Sequence, residues 1–100
     1  MRVVHHPIAT TEIGDAARYY EERVAGLGVD FLNEVDEAVR VIVAMPKCWP
    51  VLERDVRRYL LRRFPFALYF RIREDYIQIL ACKHHSRHPD YWRRRLGESG

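Results

Sequence analysis

The sequence predicts an α+β domain: a short first strand, two consecutive amphipathic helices, then an antiparallel meander. Three observations carry this. Apolar residues recur at helical spacing over 10–25 and again over 29–45. They alternate at strand spacing over 66–83. Prolines and glycines punctuate the joints, at Pro7, Gly26, Gly28, Pro46 and Pro50. The 100 residues suit one domain, 1–100, with no room for a second. A chain of this size buries about 65% of its unfolded surface, enough for one modest core.

Val3-Val4 favours a strand over 2–6, which Pro7 ends. The first helix fits Thr10 to Ala25. Ile13, Ala16, Ala17, Tyr20, Val24 and Leu27 make one stripe, with Thr10 or Thr11 as N-cap and Glu12 and Asp15 where the helix dipole favours acids. Gly26 and Gly28 stop it. The second helix fits Val29 to Met45, with Phe31, Leu32, Val35, Val39 and Ile42 inward, and Pro46 ends it. So short a link implies an antiparallel hairpin, whose outer face would carry Glu21, Glu22, Glu34 and Glu37.

Residues 46–55 read as irregular. Strands are then expected at Val56–Arg63, Phe66–Arg73 and Tyr76–Lys83, with Glu74-Asp75 as a tight turn. In the last strand Ile77, Ile79 and Ala81 would form one face, and Tyr76, Gln78, Leu80 and Cys82 the other. The natural packing lays the helical hairpin on one face of an antiparallel sheet.

The apolar fraction of 48% and the charged fraction of 31% fit a soluble globule and argue against disorder. No apolar run approaches the roughly 20 residues that cross a bilayer, and the N-terminus lacks the apolar segment of a secretory signal. Cys48 and Cys82 lack metal-ligand spacing, so free thiols in a reducing cytoplasm are expected, with Cys82 filling the core. The net charge of +3 is polarised. Residues 1–46 hold four Lys/Arg and eight Asp/Glu; residues 47–100 hold thirteen and six. The basic half suits phosphate or an acidic protein segment, although solvated surface explains many such runs.

The later part of the chain concentrates the candidate chemistry. Arg57-Arg58 and Arg62-Arg63 flank a short apolar stretch, and His84-His85-Ser86-Arg87-His88-Pro89-Asp90-Tyr91-Trp92 follows the last strand. Cations, imidazoles and stacking rings together suit nucleic acid, which offers phosphates and base faces. Arg57, Arg58, Arg62, Arg63, Lys83, Arg87 and Trp92 are the candidates for binding a target or phosphate. Histidine as a residue type titrates near neutral pH, which makes His84 and His85 candidates for acid or base roles; Arg87 suits a phosphate clamp. Alternation sends one arginine of each pair to each face, so at most one of each pair enters a common groove. The structural alternatives are arginines that guard strand edges, histidines that cap strand ends, and a Tyr91-Trp92 pair packed on the sheet. His84 and His88 show i, i+4 spacing, but Pro89 follows and no third ligand is evident, so neither metal nor cofactor is expected. The functional reading requires these cations and imidazoles to gather in one electropositive hollow beside the helices.

The order of elements resembles the RelE/ParE superfamily of toxins from bacterial type II toxin–antitoxin pairs. So do Tyr19-Tyr20-Glu21, Gly26-Leu27-Gly28, Phe31-Leu32 and Pro46. The block from Arg57-Arg58 through Arg63-Phe64-Pro65-Phe66, Ile77-Gln78-Ile79-Leu80-Ala81 and His84 to Trp92 looks like the basic, aromatic signature of a ParE-like branch often labelled plasmid stabilisation proteins. The resemblance implies a RelE/ParE-like fold and a growth-arresting toxin held inactive by a cognate ParD/RelB-like antitoxin. ParE-like members inhibit DNA gyrase; RelE-like members cut mRNA on the ribosome without a metal. The nuclease branch typically places an arginine near the start of the strand that here begins at Phe66, and Phe66 departs from that pattern. Its C-terminal basic and tyrosine residues are matched by Arg87 and Tyr91. Binding of an essential target is the first reading. A ribosome-dependent endoribonuclease using His84, His85, Arg87 and Tyr91 is the second, and a degenerate toxin that retains only antitoxin binding is the third. An antitoxin would meet the toxin at a sheet edge or an apolar groove, drawn by the basic half.

Overall fold

A computed structural model describes residues 1–85. Strand β1 (Arg2–His5) leads into helices α1 (Pro7–Arg23) and α2 (Leu27–Ala44). A 3₁₀ turn (Pro46–Cys48) and strands β2 (Val51–Glu53), β3 (Val56–Leu60), β4 (Phe66–Ile72) and β5 (Tyr76–His84) follow. The five strands form one sheet in the order β1-β5-β4-β3-β2.

Helix α1 begins three residues before the expected start. Pro7 occupies its first turn, where a missing N–H costs nothing, and His6 caps it, its Nδ1 accepting from the Ile8 N–H at 3.1 Å. Pro7 therefore ends the strand and starts the helix at once. Thr11 lies inside the helix, its hydroxyl donating to the Pro7 carbonyl at 3.3 Å. Ala9, Ala16 and Ala17 form the buried face of α1, with Ile13 and Tyr20 packed beside them, while Val24 is exposed. In α2 the buried residues are Gly28, Phe31, Val35, Ala38 and Ile42; Leu32 lies on the exposed flank.

The hairpin bend is closed by a side chain. The Glu21 carboxylate accepts from the N–H groups of Gly26 (2.8 Å) and Gly28 (2.9 Å), which open α2. These amides, that of Gly26 foremost, hold the Glu21 carboxyl below its ordinary value. Gly28 permits the close crossing: a Cβ there would lie 2.5 Å from the Ala17 carbonyl oxygen. Glu21 is thus a cap within the fold, and not only a member of the solvated outer face.

The sheet departs from expectation in four respects. It is mixed, because β1 runs parallel to β5, pairing Arg2 with Tyr76 through His5 with Ile79. Local pattern carries no signal for a pairing between strands so far apart in the chain. The stretch before Asp55, expected to be irregular, contains the 3₁₀ turn and the short edge strand β2. Strand β3 ends at Leu60, so Arg62 and Arg63 fall in the turn to β4.

A bulge in β5 is the most consequential departure. Tyr69 faces Ala81 and Phe70 faces Ile79, which leaves Leu80 as an extra residue. Ile77, Ile79 and Cys82 consequently join the helix-side core, while Leu80 and Ala81 both join the cluster of Val56, Ala67 and Tyr69. The expected placing of Ala81 with Ile77 and Ile79, and of Cys82 with Leu80, is corrected: one inserted residue reverses the faces beyond it.

The principal core lies between hairpin and sheet. Tyr20, Phe31, Phe64 and Phe66 form an aromatic group within it, with ring centroids 4.8 Å apart for Tyr20–Phe64 and 5.1 Å for Phe31–Phe64. Cys82 is buried here as expected, and burial, reinforced by Glu12, pushes its thiol up to about 12. Cys48 is an exposed free thiol. No helix among the described residues is long and apolar enough to cross a membrane.

Candidate functional site

The described candidates fall in three places. The first is the end of β5. The ring of His84 packs against that of Phe66, with centroids 5.6 Å apart, and lies 5.4 Å from that of His85. The His85 N–H donates to the Pro65 carbonyl at 3.0 Å, which ties it to the start of β4. Lys83 Nζ lies 2.7 Å from Glu12 Oε2, in a pair whose side chains are 26% and 10% exposed. Glu12, Asp15 and Tyr19 of α1, with Phe66, Lys83 and His84, line an open hollow of 280 Å³ here. The hollow mixes charges and is not a purely cationic surface.

The second place is β3. Arg57 stands opposite Phe70 on the helix side of the sheet, and Arg58 opposite Tyr69 on the other. The expected division of the pair between faces is present, and it separates their roles. Arg57 Nη1 donates to the carbonyls of Trp49 (2.8 Å) and Lys47 (3.3 Å), so this cation staples the 3₁₀ turn to β3. Arg58 is half-buried, with no ion pair among the described residues.

The third place is the β3–β4 turn. One oxygen of Glu34 in α2 accepts from the N–H groups of both Arg62 (2.5 Å) and Arg63 (2.9 Å). Arg63 Nη2 lies 3.6 Å from Asp30. Asp30, Asn33, Glu34 and Glu37 complete with the two arginines an open groove of 440 Å³. Glu34, expected on a bare outer face, therefore anchors this turn, with Asp30 beside it. Arg87, Tyr91 and Trp92 lie outside the described residues.

These three places do not form one electropositive hollow. Lys83, His84 and His85 come together; Arg57 and Arg58 lie on opposite faces; Arg62 and Arg63 sit over acidic α2. The physical reason is twofold. Strand alternation divides one pair, and the turn carries the other to the helices. Among the described residues no group of three or more His, Cys, Asp and Glu side chains is arranged to hold a metal ion. The functional reading of the sequence assigned no part to Glu12 or Glu34. Both act across long separations, 70 residues for the Glu12–Cys82 contact and 28 for Glu34–Arg62, and no local spacing signals them.

No known family model matches the chain, and no curated protein matches it. Its structure is similar to a chain of the solved structure described as "Chromosomal ParDE TA system from P. aeruginosa". The TM-score is 0.75 and the identity 20%, over 84% of this chain and 95% of that one. The RelE/ParE-like fold that the resemblance implied is thus the fold of this chain: a helical hairpin on a five-stranded mixed sheet, shared with a component of a ParDE TA system.

Proposed function

We propose that this chain is the toxin component of a type II toxin–antitoxin module, closer to the ParE side. It acts in the cytoplasm, arrests growth by binding an essential target, and is neutralised by a cognate ParD/RelB-like antitoxin. The described cations do not form the single electropositive hollow that the sequence reading required, so the proposal does not rest on it; the observation that carries it is the fold shared with a ParDE TA chain along most of both chains. DNA gyrase is the target that the ParE resemblance implies. Arg58 and the Arg62 guanidinium, with Arg87 and Trp92 from the later segment, are the groups proposed to meet it.

The geometry at the start of β4 supports binding over catalysis. Phe66 stands where the nuclease branch typically carries an arginine, and its ring packs 5.3 Å from Phe31 and 5.6 Å from His84. An apolar ring in that place cannot steady the charge that develops on a phosphate during cleavage. The adjacent His84 and His85 favour the second reading, a metal-independent, ribosome-dependent endoribonuclease, since two imidazoles suit acid and base roles.

Inducible expression with and without the adjacent reading frame tests the proposal. Arrest relieved by the neighbour supports it; normal growth with soluble protein rejects toxicity. Mapping of mRNA 5′ ends then separates the readings. Codon-phased cuts that vanish in His84→Ala or Arg87→Ala establish the nuclease, whereas a DNA-damage response without cuts favours gyrase. A tight complex with the neighbour and no arrest identifies a degenerate toxin.

A further inference from the structure

We propose that Glu12 is the positioning residue for the end of β5, and that Lys83 serves as its partner there and not as a target-binding cation. The functional consequence rests on the toxin reading; the structural claim does not.

Strand β1 covers only one part of β5. Their pairing ends at His5 and Ile79, and the His6 N–H makes one more bond, to the Ile79 carbonyl at 2.8 Å. The chain then turns into α1, while β5 continues to His84. The Cys82 N–H lies beyond the reach of β1 and donates to Glu12 Oε1 at 3.0 Å. The other carboxylate oxygen, Oε2, holds Lys83 Nζ at 2.7 Å. One side chain thus takes the place that a neighbouring strand's carbonyl would occupy, and it also neutralises the next residue.

Glu12 can do this because α1 is fixed to the sheet through Ala9, Ala16 and Ala17, on either side of it in sequence. Its own side chain is only 10% exposed. A carboxylate so enclosed keeps its geometry, because losing either partner leaves a buried polar group unmatched. Immediately beyond Cys82 come Lys83, His84 and His85, and then the segment bearing Arg87, Tyr91 and Trp92. Glu12 therefore fixes the last residues of β5, which the basic, aromatic segment follows in sequence. A lysine already committed to it offers little charge to a phosphate.

The test combines amide exchange by NMR with the growth assay on Glu12→Ala, Glu12→Gln and Lys83→Met. Glu12→Ala is expected to speed exchange at Cys82 by about tenfold or more, the worth of one such hydrogen bond, with Ile77 and Ile79 little changed. Glu12→Gln, whose amide oxygen still accepts, restores most of the Cys82 protection. For arrest, Glu12→Gln and Lys83→Met should weaken the toxin alike, and the double variant should do no worse than either. Unchanged Cys82 exchange in a folded Glu12→Ala overturns the proposal. So does a Lys83→Met variant without arrest beside a fully toxic Glu12→Gln, the pattern of a direct target contact. If Glu12→Ala does not fold, exchange and arrest in the other two variants decide. A wild type that never arrests growth defeats the toxin reading, and the exchange data still judge Glu12.

Discussion

Arg57 commits its guanidinium to two main-chain carbonyls of the 3₁₀ segment, while Arg58, one residue on, projects from the opposite face without an acidic partner among the described residues. The dipeptide therefore divides into a structural cation and a candidate functional one. Arg57→Ala is expected to lower stability by about 1 kcal/mol, the usual worth of such a hydrogen bond at a partly exposed site. Arg58→Ala is expected to leave stability within about 0.5 kcal/mol of wild type and to weaken growth arrest. Urea titration alongside the expression assay checks both. An Arg57→Ala variant of full stability would remove the staple argument. The same logic covers Arg63, whose pairing with Asp30 draws part of its charge away from any target.

At the scale of the element, the helical hairpin depends on its bend. Glu21 satisfies two amides that would otherwise open α2 without partners, and Gly28 allows the helices to cross closely. The pH dependence has a definite sign. The folded-state value of Glu21 is depressed by these amides, so the stabilisation it provides is complete above its ordinary value of 4.5 and is lost as pH falls through the lower folded value. Glu21→Gln removes this contribution to the slope. The difference between wild-type and variant urea midpoints should therefore shrink as pH is lowered from about 5. A gap that stays constant would show that the carboxylate form is not what caps α2. Edge strand β2, only three residues long and bulged against β3, shows the opposite economy: it ends the sheet with little edge to extend.

Across the whole molecule, charge and core are arranged in layers. The two helices hold eight carboxylates and three arginines, whereas the stretch from β3 through β5 holds seven Lys/Arg and two acids. Polarisation along the chain thus becomes polarisation between layers, and the anchoring acids Glu12, Asp30 and Glu34 draw cations back towards the helices. Phe31 lies at the junction, fully buried and in contact with Tyr20 of α1, with Phe64 in the β3–β4 turn and with Phe66 at the start of β4. Since one cluster joins both layers, unfolding should be a single transition. Far-UV circular dichroism, which follows the helices, and Trp49 fluorescence in a Trp92→Phe background should give coincident urea curves. Phe31→Ala should shift both together by about 3–5 kcal/mol. Separated curves would mean that the layers hold independently.

The sequence by itself determined the elements whose signal is local. Helical and strand periods, the glycines at the bend, Pro46 and the buried character of Cys82 follow from residues that are neighbours in the chain. The α+β packing followed from the order of elements, and the RelE/ParE-like fold from the resemblance that this order and the Arg-Arg and aromatic blocks carry. Tertiary structure decided the rest, for reasons of distance and register. The parallel pairing of β1 with β5 joins the first residues to a strand more than seventy positions later. A single bulge at Leu80 reversed the faces of β5 beyond it, bringing Cys82 and not Ala81 to the helices, and no composition rule marks where an extra residue enters a ladder. The fates of the cations were equally non-local. Glu12 and Glu34 reach Lys83 and the Arg62–Arg63 turn only once the hairpin lies on the sheet, so charges that look alike in sequence become staple, anchored turn and open surface.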